Sequence, residues 1–282
     1  MKVASINFAL NIIGSEDQFF DHVSNLVTEA SHKGATLVVL PEYTVAELYS
    51  VVGFYEEVDA ARVLTKYADK YVSVIESLAK KLSITLVGGS FFKLEDNKVF
   101  NICPIAYPWD PTVFQYKNCL VTYERSVQSV SAGSFLTAPD SSGIGTLICY
   151  DCEFPVATSL LCNNGMKVLC VPSSTETIHG FRRVRHSCIA RAIENQIFVI
   201  HAALVGSIDK EPHPVSYGSS AIIAPCAPQF ANGPILSESL LNQESIAIAD
   251  LDFNALEDLR ENGEVTNYKD TRSKQWRVIT AA

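Results

Sequence analysis

No stretch of this 282-residue chain approaches the ~20 consecutive apolar residues that a membrane-spanning helix needs. The opening MKVASINFAL carries one Lys and a short apolar run but lacks a signal-like cleavage site, so it reads as a first strand. No membrane partner is expected. Basic residues are in the minority: 22 Lys and Arg against 31 Asp and Glu leave a net charge of −9. A nucleic-acid partner is not expected either, because phosphate binding needs clustered Lys and Arg. The short FRRVR at 181–185 sits among apolar residues and reads as a helix face or a set of salt-bridge partners. Linker-like Gly/Ser/Pro stretches and low-complexity tracts are missing. So are the GxSxG elbow, the P-loop and the GxGxxG fingerprint. There is no second CxxC, and none of the six histidines shows paired ligand spacing, so neither a metal nor a cofactor is expected.

What is present is a globular composition, 48% apolar and 19% charged, long enough to bury a large core. Eight cysteines are dispersed through apolar segments, which suggests free thiols in a reducing cytoplasm. Strands and helices alternate. VASINFAL reads as a strand. The SEDQ at 15–18 has the Ser-x-x-Gln spacing of a capping box, helical periodicity follows from Phe19 to Ala30, and Gly34 is a fitting stop. ATLVVL is a strand buried on both faces, and one long helix is expected over about 59–82. ITLVGGSFF and VFNICPIAY read as strands joined by a hairpin turn in KLEDNK. GTLICY, KVLCVP, IFVIHAALV, YGSSAIIAP and SIAIADLDF read as further strands, with helices over VATSLLCNNG and FRRVRHSCIARAIENQ. After 254 one short helix and an extended polar tail are expected. The pattern implies an α/β layered architecture in one domain over 1–282, with internally similar halves.

Several polar residues fall just past the ends of buried strands, the edge at which ligands gather in α/β folds. Cys149 ends TLI before a turn and a helix, where helix-start amides stabilise a thiolate and donate to an oxyanion. A buried cysteine can equally be an inert small hydrophobe. Glu42 follows LVVLP and suits a general base, because burial raises a carboxylate pKa; a cap or salt bridge is the structural alternative. Lys117 in QYKNCL suits stabilisation of a developing negative charge, or protection of an edge strand. Cys149-x-x-Cys152 also fits a dithiol redox pair or part of a metal site. His179, His186 and His201 are possible bases, but their spacing favours none.

A Glu, a Lys and a Cys in this order resemble the nitrilase superfamily of carbon–nitrogen hydrolases. LVVLPEYT resembles its glutamate motif, YKNCL its lysine motif and LICYDCEFP its cysteine motif. ARAIENQIFVIHA at 190–202 and GSSAIIAP at 218–225 also match, so the resemblance runs from residue 3 to about 252 and looks closest to an ill-characterised bacterial branch. It implies a four-layer α-β-β-α sandwich and hydrolysis of a small amide or carbamoyl compound without a metal, the alternatives being hydrolysis of a nitrile by the same residues or a non-catalytic scaffold that keeps the fold. It implies Cys149 as nucleophile, Glu42 as general base, Lys117 as the catalytic lysine and Glu124 as the nearest match to a second glutamate. Tyr150, Glu153, Ser173 and Ser174 are expected to contact substrate. A homodimer or higher homo-oligomer is implied, through the helices after 155 and after 180. Two departures stand out: Glu153 replaces the commonest Arg, and Val156 replaces a Glu. The PSSTET loop at 172–177 also differs from better-characterised amidases. The acidic character of the chain and of Glu153 points to a neutral or cationic substrate.

Overall fold

Ser15 does cap the first helix, though not as a reciprocal box. In the computed structural model its hydroxyl accepts the Gln18 amide, while Gln18 reaches back to the Gly14 amide at 2.7 Å, one residue beyond the cap. The structure describes residues 1–282 except 54, 213–214, 231–232, 275–276 and 279–282. The chain runs through β1 (Lys2–Leu10), α1 (Glu16–His32), β2 (Leu37–Val39), α2 (Ala60–Leu64), α3 (Ala68–Leu82), β3 (Thr85–Val87), β4 (Phe91–Glu95) and β5 (Lys98–Ala106). It continues through β6 (Val113–Tyr116), α4 (Thr122–Ser126), β7 (Val130–Ser131), β8 (Ile144–Thr146), α5 (Pro155–Asn163), β9 (Val168–Ser174) and α6 (Ile178–Asn195). β10 (Phe198–Gly206), β11 (Ala221–Ile223), β12 (Ile235–Glu238), β13 (Ser245–Asp250), α7 (Phe253–Asn262) and α8 (Asn267–Ser273) complete it.

Four expectations need correction. The helix over 59–82 is interrupted by a 3₁₀ turn at Thr65–Tyr67, where the Thr65 hydroxyl bonds the Arg62 carbonyl at 2.8 Å and tightens the chain. ITLVGGSFF is two strands rather than one. Gly89 turns it with φ +66°, and a Cβ there would lie 2.3 Å from the Pro41 carbonyl oxygen, so only glycine lets this corner close against the segment that carries residue 42. The strand GTLICY ends at Thr146, and Cys149 belongs to a 3₁₀ turn, Cys149–Glu153. The tail is not extended throughout, because α8 follows α7 and lies against α6. The hairpin in KLEDNK forms as expected: Asp96 and Asn97 both take positive φ between β4 and β5, as a two-residue primed turn requires.

The strands form two sheets. In one, β13, β1, β2, β3 and β5 lie side by side, and β5 also pairs with β4, β6 and β7. In the other the order is β8, β9, β10, β11, β12. They join where Phe8–Leu10 runs parallel to Leu204–Gly206. Alternation along the strands divides the core. Ala4, Ile6, Phe8, Val38, Leu40 and Leu86 pack outward against α1 and α3, while Val3, Leu37, Val39 and Val87 face the second sheet. The second sheet is covered on its far side by α5 and α6, whose Leu161, Cys162, Val184 and Cys188 share that inner cluster. The result is a four-layer α-β-β-α sandwich. Polar bonds tie the sheets together: the Ser5 hydroxyl donates to the His201 carbonyl at 2.8 Å, and the Ser220 hydroxyl, next to β11, donates to the Asn7 side-chain oxygen at 3.2 Å. Among the described residues no helix is long and apolar enough to cross a membrane.

Candidate active site

Carboxyl ends of strands from both sheets converge on one buried group of charges. Glu42 follows β2, Lys117 follows β6, Glu124 sits on α4, and Cys149 begins the turn after β8. All four are at least nine-tenths buried. Lys117 Nζ lies 2.8 Å from Glu42 Oε1 and 2.8 Å from Glu124 Oε2. Asn101 on β5 donates its amide to both carboxylates, at 3.0 and 3.3 Å. The second oxygen of Glu42 accepts the Ser174 amide at 3.1 Å. Glu124 accepts further bonds from the Val121 amide at 2.8 Å and from the Tyr43 hydroxyl. The Cys149 thiol lies 3.7 Å from the Ser174 carbonyl oxygen and close enough to the Glu42 carboxylate for each to shift the other's proton affinity.

The turn that carries the thiol also holds the lysine. Asp151 accepts the Cys119 amide at 2.6 Å and the Asn118 amide at 3.1 Å, fixing the two residues after Lys117. Cys149 itself has φ +46°, the left-handed region that costs a non-glycine residue about 1–3 kcal/mol. That conformation reverses the chain between β8 and α5.

Electrostatics set the two glutamates apart. Burial pushes Glu42 above its ordinary value; Lys117 opposes this, and the Glu124 charge adds to it. Burial also pushes Glu124 up, but the Lys117 charge and the bonds from Lys117, Tyr43 and Val121 outweigh it and hold Glu124 low. Lys117 is held protonated: the two carboxylates outweigh its burial. Burial and then the Glu42 charge raise the Cys149 thiol well above its usual range, against the pull of Lys117. The group at rest is thus a neutral thiol beside a carboxylate of raised proton affinity, with a lysinium fixed between two acids. Such a set is chemically able to pass a proton from sulfur to carboxylate and to offer a positive charge to an oxyanion.

These four residues form the floor of a pocket of about 450 Å³. Tyr150 and Ser174 line it as well. Ser173 does not: its neighbour faces the pocket, so strand alternation turns Ser173 away, and its hydroxyl bonds the Ala202 carbonyl at 3.2 Å. Glu153 lies outside the lining and pairs instead with Arg183, 2.7 Å away, which does line the pocket. Of the three histidines, His179 reaches the rim, while His201 is buried against Arg185 at 3.1 Å. Cys152 points away from Cys149 and faces Cys188, sulfur to sulfur 4.0 Å. Among the described residues no three His, Cys, Asp or Glu side chains converge as a metal site would require. Tyr43, Asn101, Asp151 and Gln128 were not foreseen. Tyr43 adjoins Glu42 and has φ +55°, but nothing local marks the other three.

The carbon–nitrogen hydrolase family model matches residues 2–261. A probable hydrolase of Bacillus subtilis, YhcX, is 32% identical over 96% of this chain; the match spans only 54% of that protein, so the chain covers about half its length. The omega-amidase NIT2 of Danio rerio is 27% identical over 86% of each chain. The crystal structure of Saccharomyces cerevisiae Nit3, a nitrilase-superfamily member, superposes with a TM-score of 0.76 over 93% of each chain at 23% identity.

Proposed function

Because the chain belongs to the carbon–nitrogen hydrolase family of the nitrilase superfamily, we propose that it hydrolyses a small amide or carbamoyl compound through a thioester on Cys149. The observation that carries this reading is the contact of one thiol, one proton-hungry carboxylate and one fixed lysinium at the floor of a single pocket. Glu42 takes the thiol proton, and the thiolate attacks the amide carbon. Lys117 and the amide of Tyr150, at the start of the 3₁₀ turn where N–H groups lack intrahelical partners, receive the tetrahedral oxyanion. Such donors are worth roughly 3–4 kcal/mol each. Glu42 then protonates the departing nitrogen as the C–N bond breaks. Water gives a proton to the same carboxylate, attacks the thioester and releases the acid; the proton returns to sulfur. Glu124, held ionised, keeps Lys117 charged and aimed. Amide substrates are preferred to nitriles on the strength of the omega-amidase relative.

A homodimer through the α5 and α6 surface belongs to the same proposal, supported by the exposed Phe154, Val156 and Leu160. So does a reducing cytoplasm, supported by five buried free thiols outside the site. The test is intact mass after incubation with a panel of small amides, wild type beside Cys149→Ala. A substrate-sized adduct or ammonia release by wild type alone is expected. Turnover that survives in Cys149→Ala would refute the scheme.

A further inference from the structure

The pocket mouth carries charge that the chemistry at its floor does not use. Glu176, just past β9, and Glu211 both line it. Among the described residues neither carboxylate has a hydrogen-bond or ion-pair partner. The nearby cations are committed elsewhere. Arg183 is paired with Glu153, and Lys117 with Glu42 and Glu124. Lys210 bonds the Tyr49 and Val52 carbonyls at 3.2 Å each. Among the described residues the remaining basic side chain at the rim is His179. Glu176 is raised by burial and by Glu211, as expected of two acids that share a mouth without a cation between them. Tyr123 and Tyr150 supply aromatic rings to the same wall. Carboxylates beside aromatic faces suit an ammonium.

A second observation lies deeper. Gln128 lines the pocket and is only 3% exposed, yet its side-chain amide has no partner among the described residues. An amide that opens onto the pocket and has no protein partner keeps both its donor and its acceptor available to a polar ligand.

We infer that the substrate carries a cationic group remote from the scissile amide, received by Glu176 and Glu211 at the mouth, while Gln128 hydrogen-bonds the substrate further in. This specificity rests on the amidase reading. It also sets the chain apart from an enzyme built for an acidic substrate, which these two carboxylates repel.

The test uses matched substrates and the full-length protein. On the acyl side, δ-aminovaleramide, hexanamide and adipamate differ only in ending with an ammonium, a methyl or a carboxylate. On the amine side, N-acetylputrescine, N-pentylacetamide and N-acetyl-δ-aminovalerate do the same. In at least one series kcat/KM for the ammonium member should exceed the methyl member by about tenfold and the carboxylate member by more, mainly through KM. The ratio should shrink as salt is raised. In Glu176→Gln/Glu211→Gln it should collapse toward one; both side chains reach the surface at the pocket mouth and neither carboxylate holds a bond to the described residues, so folding should survive. Gln128→Ala should raise KM for every member that turns over. Equal or better turnover of the methyl or carboxylate member in both series, or an unchanged ratio in the double variant, would overturn the charge assignment alone. No turnover of any member, with no acyl adduct on Cys149, would overturn the amidase reading and this inference with it.

Discussion

Replacing Lys117 by Met removes one charge from the centre of the site and nearly preserves volume. In the wild type the lysinium lies 2.8 Å from each of two carboxylates, all three 2% exposed or less. Removing one partner from a buried ion network costs about 3–5 kcal/mol, because the remaining charge is stranded. A chain of 282 residues unfolds with an entropy near 0.6 kcal/mol per degree, so the melting temperature should fall by about 5–8 °C at neutral pH. The pH dependence is more diagnostic than the size. In the wild type Glu124 is held low and Glu42 is raised. The first contributes stability that is lost as pH falls through its folded pKa, and the second contributes stability that is lost as pH rises. The two slopes oppose each other. Without Lys117 both carboxylates are buried beside a like charge and both are raised. Each then binds its proton more tightly folded than unfolded, so stability is greatest below the unfolded carboxylate range and declines as pH rises through the folded values. The deficit of Lys117→Met against wild type should therefore be large at pH 8 and shrink toward pH 5. Differential scanning fluorimetry across that range, with circular dichroism to confirm the fold, measures it. A deficit that is constant with pH, or that grows toward acid, would refute the electrostatic account. Amide turnover should fall at least about a hundredfold, the effect of losing an oxyanion donor.

Three further outcomes follow from the same contacts. Cys149→Ala should form no acyl-enzyme, whereas Cys152→Ser, at a thiol that faces Cys188, should keep it; equal loss in both, read by intact mass, would favour a dithiol mechanism. Asp151→Asn should accept only one of the two amides it now holds, lowering stability by about 1–3 kcal/mol, or ~2–5 °C, and reducing turnover as the Lys117 loop loosens; an unchanged melting curve would show that those bonds do not fix the loop. His22 is lifted to about 9 because, against its burial, its ring donates to the carboxylates of Glu244 and Glu47. Its stabilisation is fully present below the ordinary histidine pKa near 6.5 and lost as pH rises through about 9, so the deficit of His22→Gln in melting temperature should be evident at pH 6 and largely gone at pH 10.

Much of the scaffold was legible because its signals are local. Ser15, the helical spacing from Phe19 to Ala30 and the apolar runs of β2, β9 and β10 each report their own conformation. Glu42, Lys117 and Cys149 could be singled out because each closes or follows such a run. What stayed hidden depends on segments distant in the chain. Asn101 is an unremarkable strand residue until β2 and α4 bring two carboxylates to its amide. Asp151 matters through backbone amides 32 and 33 residues away. Ser173 and Ser174 are equivalent on paper, since a strand buried on both faces gives no parity signal; only the register of β9 beside β10 decides which one faces the pocket. The break at Thr65 was invisible for the opposite reason, because the apolar spacing continues straight through it.

The left-handed backbone at Cys149 has a consequence for descent. Glycine would occupy that conformation without steric cost, so every generation that keeps the thiol also keeps a small penalty that a single codon change would relieve. Asparagine would also tolerate the same angles. A cysteine at those angles therefore carries a backbone cost that only the use of its sulfur offsets.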